Sequence, residues 1–225
     1  MKARSKRYKK EGEQVTKEVL SLGAAIDKVK SFTSVKFDQT VEFVMQLGID
    51  PKQADQLVRG SLSLPHGVGK QKRVVAFCPD EDIEAAKKAG AIEAGTDELI
   101  QKITDGWMDF DVAVASPRVM GKAGKLGRIL GPQGKMPSPK NGTVTDDVPT
   151  AVAEFTAGKI EFRNDSGGNV HVVVGKQSFD KQKLIENIEA FVAHIKKVKP
   201  AAAKGTYIKK ACVAATMSPG VAVTV

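Results

Sequence analysis

Aromatic residues are scarce in this chain: one Trp, two Tyr and nine Phe among 225 residues, 5% of the whole. Such a chain builds its cores from aliphatic side chains, and any exposed ring stands out. Cysteine is scarcer still. Cys78 and Cys212 each sit in an apolar run, VVAFC and ACVAA, with no CxxC or Cys/His spacing to hold zinc. Two buried free thiols suit a reducing cytosol, so the expected location is cytoplasmic. There is no apolar run of 18 residues and hence no expected membrane span. The N-terminus is basic (Lys2, Arg4, Lys6, Arg7, Lys9, Lys10) but lacks the apolar segment of a signal peptide. It reads as a solvated or RNA-touching tail.

The chemistry of catalysis is missing as well. His66 lies in a glycine-rich loop, His171 on a strand and His194 on a long helix, with no partners beside them in sequence. No H-E-x-x-H, nucleophile elbow or P-loop spacing occurs. No catalytic residue, metal or cofactor is therefore expected, and the chain is read as no enzyme. The competing reading, a small α/β enzyme acting on a phosphorylated substrate, finds no constellation to carry it.

What is present is positive charge, unevenly spread. The net charge is +9 and the pI about 9.4. Residues 68–158 hold 12 Lys/Arg against 13 Asp/Glu, whereas the flanks together hold 23 against 13. The excess of ten cations belongs to the two ends, which points to a polyanionic partner there.

Residues 40–47 alternate, Val41, Phe43, Met45 and Leu47 against Glu42 and Gln46, with Val44 the apolar exception. That is a strand with one buried face. Lys36 and Phe37 stand at its entrance, where a cation can hold a phosphate and a ring can stack on a base or sugar. The alternative, which composition alone favours, is that Phe37 is the first core residue of the strand. Residues 207–215 and 221–225 are β-like around the turn Thr216–Gly220, and the early strand is their natural partner. The two ends then form one domain, 1–67 plus 159–225, into which 68–158 is inserted.

The N-terminal part also predicts a helix over 15–33, a short turn after Pro51 and a returning strand at 59–64. The insert alternates buried strands (73–78, 111–115) with helices (80–90, 96–105, 117–130, 147–158), the pattern of an α/β layer with parallel pairing. Strands 159–164 and 169–176 flank Asp165-Ser166-Gly167-Gly168, a hairpin signal, and a helix runs to Lys199. The fold class is α/β in two domains. Within the insert, residues 118–142 carry six cations, no acid and five glycines before Lys135, a composition suited to phosphate.

The stretches KFDQTVE (36–42), LPHGVGK (64–70), ILGPQGKMPSPKNGTVT (129–145), IEFRND (160–165), VGKQSF (174–179) and TMSPG (216–220) together resemble the bacterial-type family of large ribosomal subunit protein one. The resemblance runs end to end. It implies a split RNA-binding domain with a Rossmann-like insert, and a structural role in the large ribosomal subunit. It further implies binding to ribosomal RNA of the mobile stalk, help in releasing exit-site tRNA, and repression of the operon's own messenger. The free protein is expected to be monomeric. For ribosomal RNA the resemblance implies Lys36, Phe37, Thr40, Glu42, Thr216, Met217 and Ser218, with Arg163, His171 and Lys176 on matched strands. The cations of the glycine-rich stretch, Arg118, Lys122, Lys125, Arg128, Lys135 and Lys140, are read as tRNA contacts. Departures from the family pattern include Gln39 for a usual acid, Ser218 for a usual Gly, and Gln133, Lys135 and Ser138 in the glycine-proline loop.

Overall fold

The computed structural model describes residues 5–15, 18–32 and 35–224. Lys2 and Arg4 of the basic tail, and Thr16, Lys17, Thr33 and Val225 of predicted elements, lie outside them. In chain order the elements are α1 (Lys6–Glu13), α2 (Leu22–Ser31), β1 (Thr40–Leu47), β2 (Arg59–Leu62), β3 (Val74–Phe77), α3 (Ile83–Lys88), β4 (Glu93–Gly95), α4 (Asp97–Thr104) and β5 (Val112–Ala115). Then come α5 (Met120–Ala123), α6 (Gly127–Leu130), α7 (Val148–Ala157), β6 (Ile160–Arg163), β7 (Asn169–Lys176), α8 (Lys181–Lys197), β8 (Ile208–Ala215) and β9 (Val221–Val223). The chain divides into two compact units, residues up to Gly69 with Ile160 onward, and Lys70–Lys159.

The first unit is built on an antiparallel sheet in the order β7-β1-β8-β9. Burial along β1 alternates residue by residue, and Val41, Phe43, Met45 and Leu47 point into the core. Leu184, Ile188, Phe191 and Ile195 of α8 and Ala25, Ile26 and Val29 of α2 close it from one side. Phe191 meets Phe43 and Phe162 edge to face, with centroids 6.3 and 5.4 Å apart, the geometry ring quadrupoles favour. His194 lies edge-on to Phe162, and burial holds its pKa below the usual value. Position 48, just past β1, requires glycine, because a Cβ there would stand 2.2 Å from the Thr206 carbonyl oxygen. β2 and β6 pair in a small second sheet.

The second unit is a parallel sheet, β4-β3-β5, covered on both faces. Every residue of β3 and β5 is buried, as expected for strands between two helical layers. Val74, Ala76 and Cys78 face Phe155 and Val152 of α7, while Val75 and Phe77 face Leu99, Ile103 and Leu126. α7 begins as its sequence demands: the Asp147 carboxylate caps the Thr150 amide at 3.2 Å, and hydrogen bonding to the Thr150 side chain and then to its amide holds its pKa down.

Several expectations are corrected. The helix over 15–33 is shorter, because Leu20 adds to β9 as an extended bridge: Leu20 N donates to Ala222 O and Thr224 N to Leu20 O, both at 3.0 Å. The basic tail is helical from Lys6, capped by Ser5 and laced by the Arg7–Glu11 pair. Residues 117–130 break into short pieces, α5, a 3-10 turn and α6. The hairpin of β6 and β7 is reduced to one bridge, Asn164 with Val170, because β6 pairs with β2 instead.

Candidate nucleic-acid interface

Three segments far apart in sequence meet at the entrance of β1. Residues 36–40 lie between 176–178, which leave β7, and the turn 216–218, which leaves β8. The joints are specific. Lys176 Nζ donates to Thr40 Oγ1 at 2.9 Å. Asp38 accepts from Ser178 N at 3.1 Å and from Ser178 Oγ at 2.8 Å. Gln177 N donates to Gln39 O at 2.8 Å. On the other side Thr40 N donates to Thr216 Oγ1 at 3.1 Å, and Thr216 N returns to Thr40 O at 3.0 Å. A bulge between Val41 and Glu42, opposite Gly175 at φ +154°, delivers Lys176 to Thr40.

The junction holds two large apolar side chains out to solvent. Phe37 is 51% exposed and Met217 45%, so Phe37 is not the first core residue of the strand. Lys36 and Thr216 beside them are exposed as well. A polar scaffold presenting a ring, a thioether and a cation is what stacking on a base or ribose next to a phosphate requires. Ser218 differs from its neighbours. It is buried, and its hydroxyl accepts from Ala215 N at 2.9 Å and donates to Pro219 O at 3.1 Å. The serine in place of glycine thus turns inward, and the turn offers Thr216 and Met217.

Glu42 and His171 lie farther along the sheet, and Arg163 lies on β6 of the second sheet. Glu42 faces the outer side of β1, half buried. His171 is level with Val44, four residues from Thr40 or about 13 Å along a strand. It stands 3.8 Å from Asp165. Asp165 accepts from Asn169 Nδ2 at 3.0 Å, from Asn169 N at 2.7 Å and from Gly167 N at 2.8 Å, and these bonds hold its carboxyl below the usual range. Arg163, exposed, ends β6 directly opposite Arg59 of β2. Like charges facing across strands are unfavourable, and an anion between them relieves the cost. Sequence reasoning missed Arg59, since only the register reveals its partner. Arg7, read in the sequence only as part of a solvated or RNA-touching tail, donates from Nη2 to Met217 O at 3.0 Å.

In the second unit the six cations separate into two kinds. Arg118, Lys125, Arg128 and Lys140 are exposed and make no ion pair among the described residues. Lys122 is exposed but bonds Asp97 at 2.8 and 3.1 Å. Lys135 is part-buried: its Nζ donates to Met108 O at 3.1 Å and lies 4.9 Å from the Phe110 ring centroid. Its role is thus at least partly structural. Among the described residues no three His, Cys, Asp or Glu side chains converge as a metal set, and no helix is long and apolar enough to cross a membrane.

Comparison with known proteins agrees with the resemblance. The model of the Ribosomal protein L1p/L10e family matches residues 29–219. The chain is 55% identical over 223 residues to the large ribosomal subunit protein uL1 of Rhodopirellula baltica, covering 99% of both chains. It is 52% identical over 221 residues to the protein of the same name from Thermobifida fusca, covering 98% of this chain and 94% of the relative. With the family model spanning most of its length and relatives this similar over both chains, the chain belongs to the Ribosomal protein L1p/L10e family.

Proposed function

We propose that this chain is a structural constituent of the large ribosomal subunit that binds its ribosomal RNA through the junction at the entrance of β1. The observation that carries this reading is the pair of exposed apolar side chains, Phe37 and Met217, on a hydrogen-bonded polar scaffold beside Lys36. Among the described residues the other large apolar side chains exposed to solvent are Val19, Ile92 and Val198. The relatives' name supports the assignment to the large subunit. The facing Arg59 and Arg163, and His171 on β7, are further positions suited to phosphate.

In this reading the unit made from both ends, 1–67 plus 159–225, anchors on RNA because it carries the excess of ten cations, while the insert 68–158 is close to neutral. The insert's exposed Arg118, Lys125, Arg128 and Lys140 meet a second RNA, the exit-site tRNA, and favour its release. The same RNA surface recognises the operon's own messenger and represses it. The protein works in the cytoplasm on the ribosome and is a monomer when free.

The direct test is sedimentation with footprinting. The protein is expected to pellet with large subunits, to leave them as salt rises, and to protect a confined stretch of deproteinised large-subunit RNA. Protein that stays in the supernatant at low salt, with no protected nucleotides, contradicts the proposal.

A further inference from the structure

We infer that Gln39 is the positioning residue of the RNA-binding junction, acting on RNA only through the backbone of Met217; the inference rests on the RNA reading above. Gln39 is 1% exposed and so cannot touch RNA itself. A buried primary amide must find partners for one acceptor and two donor hydrogens, and Gln39 finds all of them on other segments. Its Oε1 accepts from Met217 N at 2.9 Å. Its Nε2 donates to Phe32 O at 3.2 Å and to Gln177 Oε1 at 3.0 Å.

Gln177 continues the chain of amides. Its Nε2 reaches Val29 O at 3.4 Å, Lys30 O at 3.3 Å and Phe32 O at 3.2 Å. Those carbonyls close α2, where the last turn of a helix runs out of helical donors; of the three, Val29 O also accepts from Phe32 N at 3.3 Å. Two side-chain amides therefore tie the end of α2, the exit of β7 and the turn after β8 into one piece. Met217 is held from both directions, its N–H by Gln39 and its carbonyl by Arg7. Its side chain is thereby aimed outward on a fixed backbone, and the ordering that RNA binding would otherwise impose is already in place.

The division of roles makes distinct demands on substitutions. Gln39→Met keeps the shape and removes every side-chain bond. Gln39→Glu keeps the acceptor for Met217 N and loses the two donor bonds to Phe32 O and Gln177 Oε1, which separates the Met217 bond from the other two. Binding to deproteinised large-subunit RNA is measured for both, for Met217→Ala and for the Gln39→Met/Met217→Ala pair. Gln39→Met is expected to bind about tenfold more weakly, with an unchanged slope of log affinity against log salt because no phosphate contact is lost. Gln39→Glu is expected to stay within about threefold of wild type. The double variant is expected to bind no more weakly than the worse single one. Wild-type affinity in Gln39→Met, or full additivity in the pair, overturns the inference. Hydrogen exchange of the Met217 amide in the unaltered free protein tests the clamp without any variant: protection supports it, and exchange at the unhindered rate overturns it. A wild-type protein that does not bind the RNA overturns the RNA reading, while the exchange result still judges the clamp.

Discussion

Lys176 donates from Nζ to Thr40 Oγ1 at 2.9 Å, across the first rung of the β7–β1 ladder. Two residues assigned to RNA contact therefore hold each other in place. Thr40→Val keeps the β-branch and removes the acceptor, which frees the ammonium. RNA affinity is expected to fall about three- to tenfold, the worth of one such bond, with the salt slope unchanged. Lys176→Met is expected to lower affinity and also to reduce the slope by about one. Filter binding across a salt series separates the two; identical slopes in both variants contradict the assignment of Lys176 to phosphate.

Asn187 fixes the loop after β2. Fully buried in α8, it accepts from His66 N at 3.1 Å and donates to Gly67 O at 3.0 Å and Val174 O at 2.8 Å. Asn187→Leu leaves three backbone groups unpaired, each costing about 1–3 kcal/mol when buried. Denaturant unfolding should show a loss of at least about 2 kcal/mol. A loss well below that shows that the loop finds other partners.

Asp165 gives a pH dependence with a definite sign. Its bonds to the side chain and amide of Asn169 and to Gly167 N lower its pKa in the folded state. The stability it contributes is complete above the ordinary carboxylate pKa of about 3.9 and is lost as pH falls through the lower folded value. Asp165→Asn should melt below wild type at pH 6, and the gap should close as pH falls toward 2. A gap that widens toward acid contradicts the shift.

The exposed cations of the insert are tested together. Lys125, Arg128 and Lys140 changed to Ala should leave ribosomal RNA binding nearly unaltered, since they lie outside the junction. The dissociation rate of exit-site tRNA from ribosomes carrying the variant should differ from wild type by several-fold, the usual consequence of losing a few phosphate contacts. Equal rates return these residues to an ordinary solvated surface. Lys135 is left out because its bond to Met108 O and contact with Phe110 make it part of the packing.

Much of this architecture was legible because the chain follows its own periodicities. The alternation at 40–47 became β1, and the continuous apolar runs became the fully buried β3 and β5. Asp147 capped α7, and the glycine after it closed the helix in a left-handed conformation, φ +110°. Thr96 shows the limit of such rules: it stands at the N-cap of α4, yet its hydroxyl donates to Cys78 O at 2.8 Å. Three-residue β4 left no pattern to read, and the helical N-terminus carried no apolar stripe beyond its Ser5 cap.

The site was legible in its parts and not in its wiring. Phe37, Lys36 and Met217 announce themselves as a ring, a cation and a thioether beside strands and turns. Gln39 and Gln177 do not, because an amide's role depends on which carbonyls the fold brings within 3.5 Å, separated here by 138 residues. The pairing of Arg59 with Arg163 depends on register between strands about a hundred positions apart. Ser218 was visible as a departure, but its inward turn is settled by the Ala215 and Pro219 backbone around it.

The central claim is that the junction at β1 is an RNA surface and not an accident of folding, and Phe37→Ala tests it most directly. The ring is half exposed, so its removal should leave the melting temperature within about a degree of wild type while weakening large-subunit RNA binding by about 1–3 kcal/mol, the worth of a stacked contact. Unchanged affinity, with or without a lowered melting temperature, would contradict it.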